Sequence, residues 1–136
     1  MIGIVIVSHS RALAEAAVGL TTELFGAGQV PTIEIAAGTA DGGFGTDATA
    51  VSTAIEQADS GDGVLVLMDL GSSVMSAEMA LEFVDPDLAQ RVRLCGGPLV
   101  EGLVVASVTA STAASLDKVD SEARRALEAK GEHLTS

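Results

Sequence analysis

The sequence predicts an α/β fold, a three-layer sandwich in which helices cover both faces of a mostly parallel sheet of four to five strands. Short runs of aliphatic and β-branched residues alternate with longer helical patterns, as in chains built from βαβ units. Residues 2–7 and 64–68 are continuously apolar instead of alternating, which is typical of strands buried on both faces. Turns that contain glycine or proline separate most of these segments.

Length and composition favour a single domain, residues 1–136, with a core of its own. A chain of this size buries about two-thirds of its unfolded surface, so no disulfide is needed to stabilise it. Apolar residues make up 48% of the chain but aromatic residues only 2%, so the core is expected to consist of Val, Leu, Ile, Ala and Met. The single cysteine, Cys95, excludes an internal disulfide and suits a reducing compartment.

The first strand, residues 2–7, stops at His9 and passes at once into a helical pattern. Ser10 is suited to cap a helix over residues 11–25, and Gly26 is suited to end it. The leucines that recur at helical spacing along this helix are Leu13, Leu20 and Leu24.

A short second strand is predicted at residues 32–36, directly after Pro31. Residues 37–45 contain four glycines and are therefore predicted to form a loop. Thr46 is predicted to cap the helix that follows, with Asp47 near its positive end. The residues expected to face inward from that helix are Val51, Ile55 and Ala58.

The third strand, residues 64–68, ends at Asp69 and is followed by a predicted helix over residues 74–84. Residues 91–95 are predicted to form a fourth strand nearer the sheet edge. Residues 99–114 predict a helix that is apolar nearly all round and so covered on more than one side, and we expect a homodimer contact there. The last helix, over residues 116–130, is predicted to have an apolar face made of Val119, Ala123, Ala126 and Leu127.

The strand order 2-1-3-4 would place the first strand beside the third, with the switch point of the sheet between them. His9 and Asp69 would then follow the ends of neighbouring strands at the carboxyl edge, where open α/β sheets carry their chemistry. A neutral imidazole is a nucleophile through one nitrogen when the other donates its N–H to a fixed acceptor. We therefore interpret His9 as the catalytic nucleophile and Asp69 as the acceptor that orients its ring. The alternative is a histidine that only caps the sheet edge.

Helix starts and glycine turns at the same edge offer backbone N–H groups, which can bind phosphate without a cation. The alternative for these segments is ordinary helix capping. Arg11 is the only basic residue among the first ninety, so a phosphoryl group on His9 would be held mainly by dipoles and would stay labile. The residues predicted to bind phosphate are Ser10, Gly38, Thr39, Gly71, Ser72 and Ser73.

Several other classes of protein are excluded by what the sequence lacks. The only lysines, Lys118 and Lys130, stand outside any Gly-Lys-Ser/Thr segment, which argues against a nucleotide-binding P-loop. His9, Cys95 and His133 are too few and too scattered for a zinc site, so neither a metal nor a cofactor is expected.

The charge and the hydropathy of the chain restrict its partners. A formal net charge of −12 argues against nucleic acid and favours partners with basic faces. No apolar run approaches the about 18 residues that a membrane helix needs, and the N-terminus has no signal-peptide pattern. We therefore expect a cytoplasmic protein that binds neither membrane nor nucleic acid.

Several motifs together resemble one family. They lie at residues 4–10, 45–47, 68–73, 76–78, 92–95 and 98–102. In this combination the chain resembles the phosphotransferase subunit, of the DhaM type, of phosphoenolpyruvate-dependent dihydroxyacetone kinase, and more distantly the mannose-class EIIA domains of the bacterial phosphotransferase system.

The resemblance implies a mannose-class EIIA-like sandwich, a homodimer and a phosphotransferase whose His9 accepts a phosphoryl group on Nε2 from a separate HPr phosphocarrier. It also implies that Asp69 orients the histidine, and that the group passes to ADP on the nucleotide subunit of the kinase, which serves a dihydroxyacetone-binding subunit. Two alternatives stay open: a mannose-class EIIA of a sugar transporter, and a non-catalytic regulatory module of the same fold.

Overall fold

The computed structural model describes residues 1–26 and 28–135. Its elements, in chain order, are β1 (Gly3–Ser8), α1 (Arg11–Phe25), β2 (Ile33–Ala37), α2 (Ala48–Ala58), β3 (Val64–Met68), α3 (Gly71–Ala80), α4 (Pro86–Ala89), β4 (Val92–Cys95), α5 (Leu99–Ser111), α6 (Leu116–Arg124) and α7 (Glu128–Thr135). The strands form one sheet in the order β2-β1-β3-β4, and every neighbouring pair is parallel. The predicted α/β fold and strand order are confirmed.

The sheet has a buried core on each face because successive side chains of its strands point to opposite sides. In β1, Ile4 and Ile6 pack with α1, α5 and α6, whereas Val5 and Val7 pack with α2, α3 and α4. Both sets of side chains are completely buried. Because its side chains enter a buried core on each face of the sheet, β1 is apolar at consecutive positions, as expected for the central strands of a three-layer sandwich.

Parallel strands bring their carboxyl ends to one edge, and this positions the candidate site. Val7 of β1 lies level with Met68 of β3, so the residues that follow the two strands emerge side by side. Ser8 lies level with Ala37 of β2 on the other side. His9, Asp69 and the loop after β2 therefore meet at the switch point of the sheet.

Two predicted helix starts are wrong. The cap of α2 is Asp47, whose carboxylate accepts the N–H of Thr49 at 3.0 Å, and not Thr46. The Thr46 hydroxyl instead lies 2.6 Å from the hydroxyl of Ser76 on α3. Helix α3 begins at Gly71 rather than at residue 74 and ends at Ala80 rather than at residue 84. Glycine and serine are poor helix formers, so their local pattern resembles a loop. The first turn is held by the N–H and hydroxyl of Ser73, which both donate to the carbonyl of Leu70.

Helix α1 has the predicted bounds, but its leucines do not face the core. Leu13, Leu20 and Leu24 are exposed, whereas the side chains that face the sheet are short. Those buried residues are Ala14, Ala17 and Thr21. Small side chains let the helix lie close to the sheet, so residue size and not the hydrophobic period decides which face is buried.

The C-terminal region differs from the prediction in three places. Helix α5 ends at Ser111 rather than at residue 114, because Ala113 adopts a left-handed conformation with φ 61°. The predicted helix 116–130 is two helices, separated by a tighter turn in which Arg125 and Ala126 donate to carbonyls three residues back. Val119 and Ala123 are buried as predicted, whereas Leu127 is exposed. In the part of the chain that is described, no helix has both the length and the apolarity to cross a membrane.

Candidate functional site

His9 and Asp69 form the centre of the site. Nδ1 of the His9 ring lies 3.0 Å from Oδ1 of Asp69, across a separation of 60 residues in sequence. The histidine side chain is 27% exposed and the aspartate side chain 9% exposed, so the ring reaches solvent while its partner is largely enclosed. The structure therefore brings together the two residues that the sequence selects for chemistry.

Asp69 is fixed by a full set of donors. Its Oδ2 accepts the backbone N–H of His9 at 2.9 Å, and its Oδ1 accepts the backbone N–H of Leu70 at 2.6 Å. Burial of the carboxylate acts to raise the pKa of Asp69, but hydrogen bonds from two backbone N–H groups and from two side chains outweigh it and lower the pKa below its ordinary value. Asp69 is therefore ionised at neutral pH.

Ser8 connects the two halves of this arrangement. Its hydroxyl donates to Oδ2 of Asp69 at 2.9 Å and accepts the backbone N–H of Ser10 at 3.0 Å. The side chain is completely buried at the end of β1. The sequence argument did not select Ser8, because a serine at the end of an apolar run carries no spacing signal.

The charge on Asp69 determines which nitrogen of a neutral His9 ring is free. An ionised carboxylate has no proton to donate, so Nδ1 must carry the hydrogen of this contact. The lone pair of the neutral ring is then on Nε2, which lies 2.7 Å from Oγ of Ser72 at the start of α3. Nε2 is consequently the ring nitrogen with a free lone pair, and Ser72 donates its hydroxyl hydrogen to it in this arrangement.

The predicted phosphate-binding residues differ in how many donors they have free. Among residues 1–26 and 28–135, no acceptor is found for the backbone N–H groups of Gly71 and Ser72. The hydroxyl of Ser72 also reaches Nε2 of His9. The start of α3 therefore has three donors available for an anion on Nε2.

The other predicted phosphate ligands are already engaged within the chain. Ser10 uses its N–H on Ser8 and its hydroxyl as the cap of α1, and Ser73 donates both its N–H and its hydroxyl to the carbonyl of Leu70. The N–H of Gly38 donates to the carbonyl of Ser8, and that of Thr39 donates to Gly43. These residues shape the edge of the site without an unused backbone donor.

The glycine-rich loop is attached to the histidine through its backbone. The N–H of Gly45 donates to the carbonyl of His9 at 2.8 Å, a contact that sequence reasoning did not identify. Gly45 has φ 143°, and a Cβ there would approach the Thr39 side chain to 2.9 Å. Glycine is therefore required at this position for steric reasons.

Neither a cation site nor a reactive thiol is evident near the histidine. Among the residues that the structure describes, no three His, Cys, Asp or Glu side chains are grouped so that they could hold a metal ion. The Cys95 side chain is 1% exposed. Burial raises the pKa of its thiol to about 11, as expected for a small buried residue and not for a nucleophile.

Comparison with known proteins gives consistent matches. The model of the EIIA-man family, described as PTS system fructose IIA component, matches residues 3–120. The phosphoryl donor subunit DhaM of the phosphoenolpyruvate-dependent dihydroxyacetone kinase of Escherichia coli K12 is 47% identical over 136 residues, or 98% of this chain. The DhaM subunit of Providencia stuartii is 45% identical over 136 residues. The chain spans only 29% and 28% of the lengths of these two relatives.

Two further matches have lengths closer to that of this chain. The phosphoryl donor subunit DhaM of dihydroxyacetone kinase 2 from Listeria innocua is 36% identical over 110 residues, which cover 79% of this chain and 85% of that protein. The crystal structure of a protein of unknown function, EF1359, superposes with a TM-score of 0.78 at 31% identity. That match covers 90% of this chain and 92% of the other.

Proposed function

This chain belongs to the EIIA-man family, and we propose that it is a histidine phosphocarrier that serves dihydroxyacetone kinase. His9 accepts a phosphoryl group from HPr and transfers it to ADP bound on the nucleotide subunit of the kinase. The observation that carries the proposal is the sequence of contacts Asp69–His9–Ser72, in which a carboxylate holds Nδ1 and leaves Nε2 at the solvent-facing edge. The names of the relatives, phosphoryl donor subunits of a dihydroxyacetone kinase, support the choice of kinase.

In the first step, the lone pair on Nε2 of His9 attacks the phosphorus of phosphorylated HPr. A new N–P bond forms, and the bond to the donor breaks with its electron pair returning to the donor. The Ser72 hydroxyl, which donates to Nε2 at 2.7 Å in the resting state, rotates to donate to a phosphoryl oxygen. The carboxylate of Asp69 stabilises the positive charge that the ring acquires.

In the second step, an oxygen of the terminal phosphate of ADP attacks the phosphorus, and the N–P bond breaks with its electrons returning to Nε2. The backbone N–H groups of Gly71 and Ser72 hold the phosphoryl oxygens by hydrogen bonds. Arg11 is the only basic residue among the first ninety, and it is paired at 3.6 Å with Glu15. Among residues 1–26 and 28–135 no lysine or arginine is hydrogen-bonded or ion-paired to His9 or Ser72, so the group should remain easy to transfer.

Labelling with phosphoenolpyruvate, enzyme I and HPr tests the proposal. The chain should acquire an acid-labile phosphate that His9→Ala lacks, whereas His133→Ala, on the C-terminal helix α7, should be labelled normally. Label on the His9→Ala variant would contradict the assignment. Stable binding to a partner with no label on the unaltered chain would favour the non-catalytic regulatory module.

A sugar-transport EIIA is the alternative that the description of the family model favours. Its chemistry at His9 would be the same, but its acceptor would belong to a permease. Adding the purified kinase subunits, ADP and dihydroxyacetone separates the two, because only the kinase route consumes dihydroxyacetone. Label that stays on His9 under these conditions would support the transporter.

The homodimer is part of the proposal, and α5 is its expected contact. The apolar character of α5 is explained in large part within the chain, since five of its residues are buried against the sheet and neighbouring helices. Val100 and Val108 are exposed and remain for a second copy. Light scattering at micromolar concentration should give twice the chain mass; a monomer mass would remove the dimer.

A further inference from the structure

One hydrogen bond near the histidine joins two side chains that take no part in the proposed steps of phosphoryl transfer. The hydroxyl of Thr46 lies 2.6 Å from that of Ser76, across a separation of 30 residues in sequence, and either hydroxyl can be the donor. Both side chains are half-buried. Each belongs to one of the sequence motifs that carry the family resemblance, at residues 45–47 and 76–78.

Thr46 follows the loop residue that holds the backbone of the histidine. The N–H of Gly45 donates to the carbonyl of His9 at 2.8 Å. Because Asp47 caps the helix that follows, the Thr46 hydroxyl is not used at the start of α2 and is directed to α3 instead. Thr46 therefore connects the loop that contacts His9 to a second element of the site.

Ser76 lies one helical turn after the residue that contacts the histidine ring. Ser72 and Ser76 are four residues apart on α3, so their side chains lie on the same face of the helix. The Ser72 hydroxyl lies 2.7 Å from Nε2 of His9. A closed series of contacts consequently joins the carbonyl of His9 to its ring. Its members, in order, are Gly45, Thr46, Ser76 and Ser72.

The buried face of α3 is made of small side chains. Its buried residues are Ser73, Ala77 and Ala80, and each alanine contributes a single methyl group to the core. The burial of so little apolar surface restrains the helix only weakly, and the start of the helix has no side-chain cap. A hydrogen bond to a neighbouring element therefore has a larger part in fixing where α3 lies relative to Nε2.

We propose that Thr46 and Ser76 are positioning residues for phosphoryl transfer. Their hydrogen bond holds the start of α3 at the distance from Nε2 at which the Ser72 hydroxyl and the N–H groups of Gly71 and Ser72 contact the phosphoryl group. The pair acts through α3, so its loss displaces these donors without removing any of them. A small displacement of the groups that hold a reacting atom is enough to slow a reaction strongly.

The inference rests on the proposed function, and phosphoramidate tests it without a protein partner. When this small donor labels the chain, Nε2 forms the new N–P bond, the P–N bond of phosphoramidate breaks, and ammonia leaves. In Thr46→Val and in Ser76→Ala the maximal rate of labelling should fall by about tenfold, with little change in the phosphoramidate concentration that gives half of it. Thr46→Ser keeps the hydroxyl and should restore the rate.

Thr53→Val is the matched control for Thr46→Val. The Thr53 side chain is exposed on α2, and its hydroxyl donates to the carbonyl of Thr49 within the same helix. The control should be labelled at the rate of the unaltered chain. Equal rates in Thr46→Val, Ser76→Ala and the unaltered chain would overturn the proposal. A loss in Thr46→Ser as large as in Thr46→Val would also overturn it, because the hydroxyl would then not be the group that matters.

The double variant tests whether the two hydroxyls act together. If they act only through their common hydrogen bond, Thr46→Val/Ser76→Ala should be slowed by about the same tenfold as either single variant. An additive loss of about a hundredfold would mean two independent effects and would contradict the pair.

The histidine ring gives a readout that does not depend on transfer. In ¹⁵N spectra of the resting protein, Thr46→Val should shift the Nε2 signal of His9 in the same direction as Ser72→Ala, because both weaken the contact between Ser72 and Nε2. A signal that moves in Ser72→Ala but not in Thr46→Val would contradict the positioning role. Failure of phosphoramidate to label His9 in the unaltered chain would instead count against the phosphocarrier function, and these spectra would then decide the positioning role alone.

Discussion

The helices α1 and α3 begin at the same edge of the sheet, and their first turns differ. Helix α1 follows Ser10, whose hydroxyl accepts the N–H of Leu13 at 3.2 Å. Helix α3 follows Leu70, whose side chain makes no capping hydrogen bond. A side-chain cap closes the start of α1, whereas the start of α3 has none. Among the described residues the first two N–H groups of each helix have no acceptor, and those of α3 belong to Gly71 and to Ser72, whose hydroxyl reaches Nε2 of His9.

Of these two similar βα junctions, one stabilises the first turn of its helix with a side-chain cap, and the other has no such cap and adjoins the candidate site. A side-chain cap is worth about 1 kcal/mol. The chain has this stabilisation at α1 and lacks it at α3, where we propose that the N–H groups of Gly71 and Ser72 bind phosphoryl oxygens. Asp69 lies immediately before this open start and Ser8 before the closed one, and they are hydrogen-bonded to each other.

The largest effect is expected at the residue that orients the histidine. Asp69→Asn removes the charge that keeps the hydrogen on Nδ1, so phosphoryl transfer should slow by on the order of 10² to 10⁴. Stopped-flow or quench-flow labelling gives the rate, and circular dichroism should report an intact fold. An unchanged rate would remove Asp69 from the mechanism.

The rate of phosphoryl transfer should be next most sensitive to a change in the uncapped first turn of α3. Ser72→Ala removes one hydrogen bond to the phosphoryl group, and transfer should slow by about tenfold with little change in stability. The same labelling assay measures it, with phosphoramidate as donor. A faster reaction would mean that Ser72 mainly restrains Nε2 in the resting state.

A substitution at the capped start of α1 should lower the stability of the chain and leave the rate of phosphoryl transfer nearly unchanged, the reverse of the effect of Ser72→Ala. Ser10→Ala removes the cap, so the free energy of unfolding should fall by about 1 kcal/mol in urea titrations. Transfer should be nearly unaffected, because the N–H of Ser10 already donates to Ser8 and its hydroxyl oxygen accepts the N–H of Leu13. If the rate fell as much as in Ser72→Ala, the distinction between the two starts would be wrong.

A side-chain cap added to α3 should have the smallest effect on the rate of phosphoryl transfer. It should be the most specific, because it changes only the first turn of that helix. Leu70 has an extended backbone, with φ −115° and ψ 162°, so Leu70→Ser can accept a first-turn N–H. We expect a gain of about 0.5–1 kcal/mol in stability together with labelling by phosphoramidate about threefold slower. A more stable variant that reacts as fast as the unaltered chain would show that these N–H groups do not hold the phosphoryl group.

Much of this arrangement could be predicted from the sequence because the buried strands determine it. Two continuous apolar runs predicted the central parallel strands, and the strand order then brought His9 beside Asp69. The bounds of α3 could not be predicted, since Gly71, Ser72 and Ser73 have the local pattern of a loop although they form the first turn of the helix. Ser8 and the backbone contact of Gly45 depend on tertiary geometry, for which neither residue carries a sequence signal.

We propose that Asp69 holds the hydrogen of a neutral His9 ring on Nδ1 and leaves Nε2 as the nucleophile. Two-bond ¹H–¹⁵N correlation spectra of the resting protein report the tautomer directly, with the ring signals assigned through the His9→Ala and His133→Ala variants. We predict a protonated Nδ1 and an unprotonated Nε2 for neutral His9 in the unaltered chain, and loss of that preference in Asp69→Asn. A ring with its hydrogen on Nε2 in the unaltered chain would contradict the account.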